Sequence, residues 1–270
     1  MNDGKTDTGG PVQRTGRRTA FRVIAYLMAA SGAAFGLFTV VFGVVDKSQK
    51  IHSLHNVVVA SLLLILSAPA AIAAARSPEH SRRPLVHLAA VGIAGIITMA
   101  MSLTIDPFTL PFVLLVGVLW ALRQSRDPAL PAGRPSPILF ALTLAAAIPL
   151  VVYAWGQAEL QRVDDFSEHD QLFHWVETSF YAVAVLLLGL LASLRPAAYR
   201  LSGWSAAAAL AILAGASLVF ADYPSALDSP WAWAALAGSL TFLGVLEWES
   251  RRKSPHGGSD SSEPGISLPS

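Results

Sequence analysis

The stretch Val163–Glu177, VDDFSEHDQLFHWVE, gathers Asp164, Asp165, Glu168, Asp170 and Glu177 with His169 and His174, in a chain that is otherwise 53% hydrophobic. Positions i, i+4 and i+7 of an α-helix share a face. A helix beginning near Asp170 would therefore line up Asp170, His174 and Glu177, three groups able to bind a metal. His52 and His55, one turn apart, open another apolar run. Imidazole nitrogen and carboxylate oxygen suit a divalent transition metal, and paired imidazoles also suit the two axial positions of a haem. The expected metal ligands are His52, His55, Asp170, His174 and Glu177, with His55 and His174 as the pair for a haem. Asp106 and Asp222 end other apolar runs and could support the site as carboxylates or by fixing imidazole tautomers.

A plainer reading competes with this one. Charged and histidine side chains belong at the aqueous ends of membrane helices, and acidic groups are favoured at helix N-termini by the macrodipole. Asp164, Asp165, Glu168, His169 and Asp170 fit a solvated loop or cap. Glu177 fits less well, because it sits just inside an apolar run where an ionisable group is costly. His87, one turn into another run, reads as a histidine satisfied between helices, and His80 and His256 lie in polar segments.

The elements that must position these residues follow from composition. Only 14% of the residues are charged, against about 25% in an average soluble domain. The chain reads as an all-α, polytopic integral membrane protein. Its partner is the lipid bilayer, and the polar residues 1–19 and 249–270 are expected to be disordered cytoplasmic tails. The run from Ala20 to Val45 is too long for a signal-peptide core of roughly 7–15 residues and reads as a retained first helix. Spans of about 20 apolar residues are expected at 20–45, 56–75, 85–105, 108–122, 137–156, 174–194, 201–221 and 230–248, with the fourth the shortest. Pro69 and Pro149 are expected to kink the second and fifth.

With the N-terminus inside, eight spans leave all but Lys47, Lys50 and Arg162 of the 19 Lys and Arg residues on the cytoplasmic side, as the positive-inside rule requires. Adding or removing one span would invert every later loop. Both termini are therefore expected in the cytoplasm, at the plasma membrane. Trp155, Trp175, Trp231 and Trp233 fall at outer ends and Trp120, Trp204 and Trp248 at inner ends, where indoles favour the interface. The charged stretch is thereby assigned to the outer face.

Offsetting the sequence by 119 residues aligns Asp46 with Asp165, Ser48 with Ser167, His55 with His174 and Arg76 with Arg195. The matches are polar in a region where chance identities would be mostly apolar. The expected halves are 20–122 and 137–248. Four spans each bring both halves in from the same side, giving parallel rather than inverted repeats. His55 and His174 would then face each other across a pseudo-twofold axis along the membrane normal.

With no cysteine, disulfides, thiolate metal sites and iron–sulfur clusters are excluded. No phosphate loop, nucleophile elbow, zinc-protease helix or dinucleotide fingerprint is present, and the basic loops are explained by topology without any nucleic acid. The alkaline ceramidase and adiponectin receptor hydrolases place zinc among helix-borne histidines. Their paired histidines four apart on a late span are replaced here by Asp170 and His174, and the clustered Met/His of copper-resistance proteins is also missing. High Ala and a preference for Arg over Lys suit a high-GC bacterium.

Three functions stay open: an outward-facing His/carboxylate site for a metal, haem or small polar ligand; a transporter or export/immunity component for an apolar substrate; and a lipid-directed, metal-dependent hydrolase. The middle portions of the spans carry no Lys, Arg, Asp or Glu, which disfavours ion-coupled transport. Whether the chain is an enzyme, and what protein partners it has, do not follow from these residues.

Overall fold

The computed structural model describes residues 11–45, 52–123, 134–163, 171–194 and 198–252. Among them there are helices and no strands: α1 (Pro11–Val45), α2 (Ser53–Arg76), α3 (Arg82–Ser102), α4 (Thr109–Leu122), α5 (Pro137–Val163), α6 (His174–Leu194), α7 (Arg200–Val219) and α8 (Ser229–Arg252). Seven are long and apolar enough to cross a bilayer. In lipid a helix satisfies its own backbone polar groups, so long apolar runs have few other solutions. The seventh-ranked length still exceeds that of α4, whose 14 residues extend about 21 Å at 1.5 Å per residue, short of a hydrocarbon core of about 30 Å.

Burial decides which helices form the middle. Within their apolar windows, 78% of α6 and 61% of α2 is buried, against 22% of α5 and 17% of α8. The outer faces of α1, α5 and α8 therefore carry Leu27, Phe38, Ile148, Val152 and Leu240 exposed, as lipid-facing side chains are. The main core cluster surrounds α6, with Phe180, Tyr181, Val185 and Leu188 packed against Val58 and Leu66 of α2, Val91 of α3 and Leu213 of α7.

The packing has a recurring order. In the first half α1 packs on α2, α2 on α3, α3 on α4 and α1 on α4; in the second, α5 packs on α6, α6 on α7, α7 on α8 and α5 on α8. Between halves, α2 meets α7, α3 meets α6, and α2 meets α6. The contact of α3 with α5 departs from this exchange, having no counterpart of equal extent.

Local chemistry accounts for the irregular points. Pro69 has no N–H to continue the i→i−4 ladder, and just ahead of it Leu62–Ser67 widens into a π-helical turn, where Ser67 Oγ donates to the Leu62 carbonyl at 2.9 Å. At the end of α3, Leu103 takes the left-handed conformation with φ 56° and starts a tight turn into α4. In that turn Leu103, Ile105 and Phe108 are exposed while Asp106 is fully buried. The turn thus presents apolar side chains outward and its carboxyl group inward. Gly95 lets the start of α4 sit close to α3: a Cβ there would collide with Thr109 Cγ2, and Thr109 cannot turn away without giving up its hydroxyl bond to Asp106.

A histidine cluster at the mouth of the second and sixth helices

α6 begins at His174, immediately after Phe173 in the left-handed region at φ 61°. That conformation costs a non-glycine residue roughly 1–2 kcal/mol, and such strain collects at functional sites. It also changes the expected geometry. The stripe through Asp170, His174 and Glu177 needed one helix from Asp170 onward; instead the helix starts at His174, so His174 and Glu177 share its first turn. Asp170 lies outside the described residues, as do Asp164, Asp165, Glu168 and His169. On the other side, His52 is the N-cap residue of α2 and His55 stands in its first turn.

Four expected site residues come together, all buried. His52 Nδ1 lies 3.1 Å from His174 Nδ1, so one ring donates and the other accepts. His55 Nε2 lies 2.8 Å from Glu177 Oε2. The rings of His55 and His174 stack with centroids 3.5 Å apart and planes 26° from parallel, and His52 meets His174 edge-on at 4.7 Å. Each half of the chain thus supplies one member of each polar pair. Among the described residues no three His, Asp or Glu side chains converge as a ready metal cage; the set is two pairs, stacked.

The supporting carboxylates are placed differently. Asp106 accepts from the backbone N–H of Phe108 at 2.8 Å and of Thr109 at 3.1 Å, and from the Thr109 hydroxyl. It caps α4. Phe108 and Thr109 in turn share with Glu177 the lining of a cleft of about 230 Å³ that runs between α1, α2, α4 and α6, so Asp106 stands behind the wall of the site. Asp222 is exposed in the turn after α7, and its carboxylate has no hydrogen bond or ion pair among the described residues.

Below the cluster, buried polar bridges fix the rotation of the central helices. Tyr181 donates to the Ala209 carbonyl at 2.7 Å and accepts from Ser61 at 2.7 Å, tying α2, α6 and α7 together. His87 donates from Nε2 to the Leu66 carbonyl at 2.6 Å, leaving Nδ1 to accept from Ser202 at 3.0 Å, and so ties α2, α3 and α7. The packed role expected for His87 is the observed one. Tyr181 is not marked by charge or spacing in the sequence, although a phenol in mid-span, away from either interface, is a signal that a buried partner exists.

The two metal groups considered from sequence fare differently against this geometry. A haem between His55 and His174 does not fit, because the rings present faces rather than lone pairs to each other and 3.5 Å leaves no room for a macrocycle. A small metal ion would find two of its ligands here. Zn–N bonds of about 2.0–2.1 Å imply a tetrahedral edge of about 3.3–3.4 Å, and the two Nδ1 atoms are 3.1 Å apart. Compared with family models, curated proteins and solved structures, the chain matches none.

Proposed function

We propose that this multipass membrane protein binds a divalent transition metal between His52 and His174, at the extracytoplasmic end of α2 and α6. The observation that carries the reading is the approach of two imidazole Nδ1 atoms, one from each half of the chain, to within a few tenths of an ångström of a metal-site edge. The ion would displace the proton between the rings and sit off the line joining the two nitrogens, with both rings turned so that their Nδ1 lone pairs converge on it. His55, stacked on His174 and held by Glu177, sets the orientation of the metal-binding ring and offers a carboxylate whose charge offsets that of the ion. Such outer groups fix tautomer and raise ligand basicity. A lipid-directed hydrolase is supported by the apolar cleft ending at Glu177, but about 230 Å³ is below the roughly 300–1,000 Å³ of small-molecule sites.

The test is elemental analysis and calorimetric titration of the purified protein with Zn²⁺, Cu²⁺, Ni²⁺ and Mn²⁺. We expect one ion per chain, following the imidazole preference for Zn²⁺, Cu²⁺ or Ni²⁺ over Mn²⁺, and loss of binding in His52→Ala. Absence of binding, or binding that His52→Ala leaves intact, would overturn the reading.

The same proposal includes eight spans in two parallel four-helix repeats, with both termini cytoplasmic at the plasma membrane. Three things support it: the neighbour order that repeats between halves, the stacking of His55 on its counterpart His174, and the apolar, charge-buried turn that lengthens the short α4. Reporter fusions after residues 50, 165 and 226 should register outside, and after 80, 130, 198 and 255 inside. An external signal at 130 would mean that α4 does not cross.

A further inference from the structure

A second cavity, separate from the histidine cluster, opens between α5 and α8. It measures about 600 Å³, inside the range of ligand sites. Its floor is made of small residues of α6 and α7, among them Gly189, Ala206 and Ala207, and its walls include Ala235 and Gly238 of α8. Ile148 and Val152 line it and are among the most exposed apolar residues of the protein. The opening therefore faces sideways, along the flank that α5 and α8 turn toward lipid. Pro149 lies on this wall too, where its missing N–H interrupts the α5 ladder.

Size and charge select the occupant. Along α5 the lining runs from Leu142 to Tyr153 and along α8 from Asp228 to Phe242, about 16 and 21 Å at 1.5 Å per residue. That is close to one leaflet of a hydrocarbon core about 30 Å thick. The cleft opens on the flank where Ile148 and Val152 are exposed, so a hydrocarbon chain can enter it directly from the bilayer. Among the described residues, Asp228 is the one charged residue in the lining, at the rim beside Trp231, and its carboxylate makes no hydrogen bond or ion pair with any of them. A carboxylate there repels an anionic headgroup and attracts an ammonium.

We propose that the cleft between α5 and α8 is a lipid site, holding one acyl chain of a phospholipid from the leaflet at the Asp228 end, with the lipid's amine-bearing headgroup against Asp228. The bound chain completes the packing of α5 on α8 and enters from the bilayer without crossing water.

The full-length protein, reconstituted in nanodiscs of equal phosphatidylethanolamine and phosphatidylglycerol and released for native mass spectrometry, tests this. Wild type should retain one phosphatidylethanolamine. A Cβ on Gly238 meets no atom within 4 Å, so the backbone there accepts a side chain, and Gly238→Phe should occupy the cleft and lower retention at least tenfold. Asp228→Lys should keep a retained lipid but switch it to phosphatidylglycerol. If Gly238→Phe does not insert, Ala235→Leu narrows the same wall and should also lower retention. Unchanged retention in the filled variant, preference of wild type for phosphatidylglycerol, or a second copy of the chain displaced in place of lipid would each overturn the proposal. Metal binding by these variants should equal that of wild type, which separates this site from the histidine cluster.

Discussion

His174→Ala is expected to weaken metal binding by at least a hundredfold while leaving the protein inserted and folded. The imidazole takes part in every ring contact of the cluster: Nδ1 pairs with His52, and the ring face stacks on His55. Removing it leaves His52 a single donor and lets His55 turn away from Glu177. Losing an orienting partner alone typically costs 10–100-fold in metal affinity, so loss of a ligand should exceed that. The start of α6 should survive, because Thr178 Oγ1 bonds the backbone carbonyl of His174 and Glu177 N–H bonds that of Phe173, neither of which needs the imidazole. Glu177→Gln, which keeps the shape and removes the charge, should give the intermediate 10–100-fold loss. His169→Ala is the matched control from the same charged stretch and should bind as wild type. Equal binding by His174→Ala and wild type, measured by titration, would remove the site.

His87→Ala should destabilise the fold by about 3 kcal/mol. Two interhelical hydrogen bonds are lost, each worth about 0.6 kcal/mol on average and up to about 1.7 within membranes, and a ring-sized void opens at a position 1% exposed, for which large-to-small core changes cost about 2–5 kcal/mol. The Leu66 carbonyl, within the π-helical turn ahead of Pro69, also loses its imidazole donor. At about 2–4 °C per kcal/mol for a domain of this size, thermal unfolding in detergent should fall by about 6–12 °C. Ser202→Ala, which removes one of the two bonds and little volume, should shift it by less than about 3 °C. A His87→Ala protein melting within 2 °C of wild type would show that α2, α3 and α7 are held by apolar packing alone.

Much of this architecture is legible in the sequence. A bilayer admits only backbone that satisfies itself, so run length and charge placement locate the helices, and each of the eight expected spans overlaps a helix, seven of them long enough to cross. His52, His55, His174 and Glu177 could likewise be placed at one rim, because each stands at the start of its helix on the same expected side. Their pairing could not. Sequence spacing put Asp170 on a stripe with His174, whereas the left-handed Phe173 starts α6 at His174 itself; and Asp106, expected beside the imidazoles, is drawn inward to cap α4.

Which nitrogen meets which depends on how α2 and α6 are rotated about their own axes. That rotation is set by close approaches such as Gly36 of α1 to Leu64 of α2 and Gly203 of α7 to Ala192 of α6 and by buried bridges through Tyr181 and His87. In a soluble helix the apolar stripe would reveal the buried face, but in lipid the outward face is as apolar as the inward one. Hydropathy therefore marks where the chain crosses and says nothing of which side faces the bundle. The partners of each histidine, and the cleft between α5 and α8, are decided only when the helices pack.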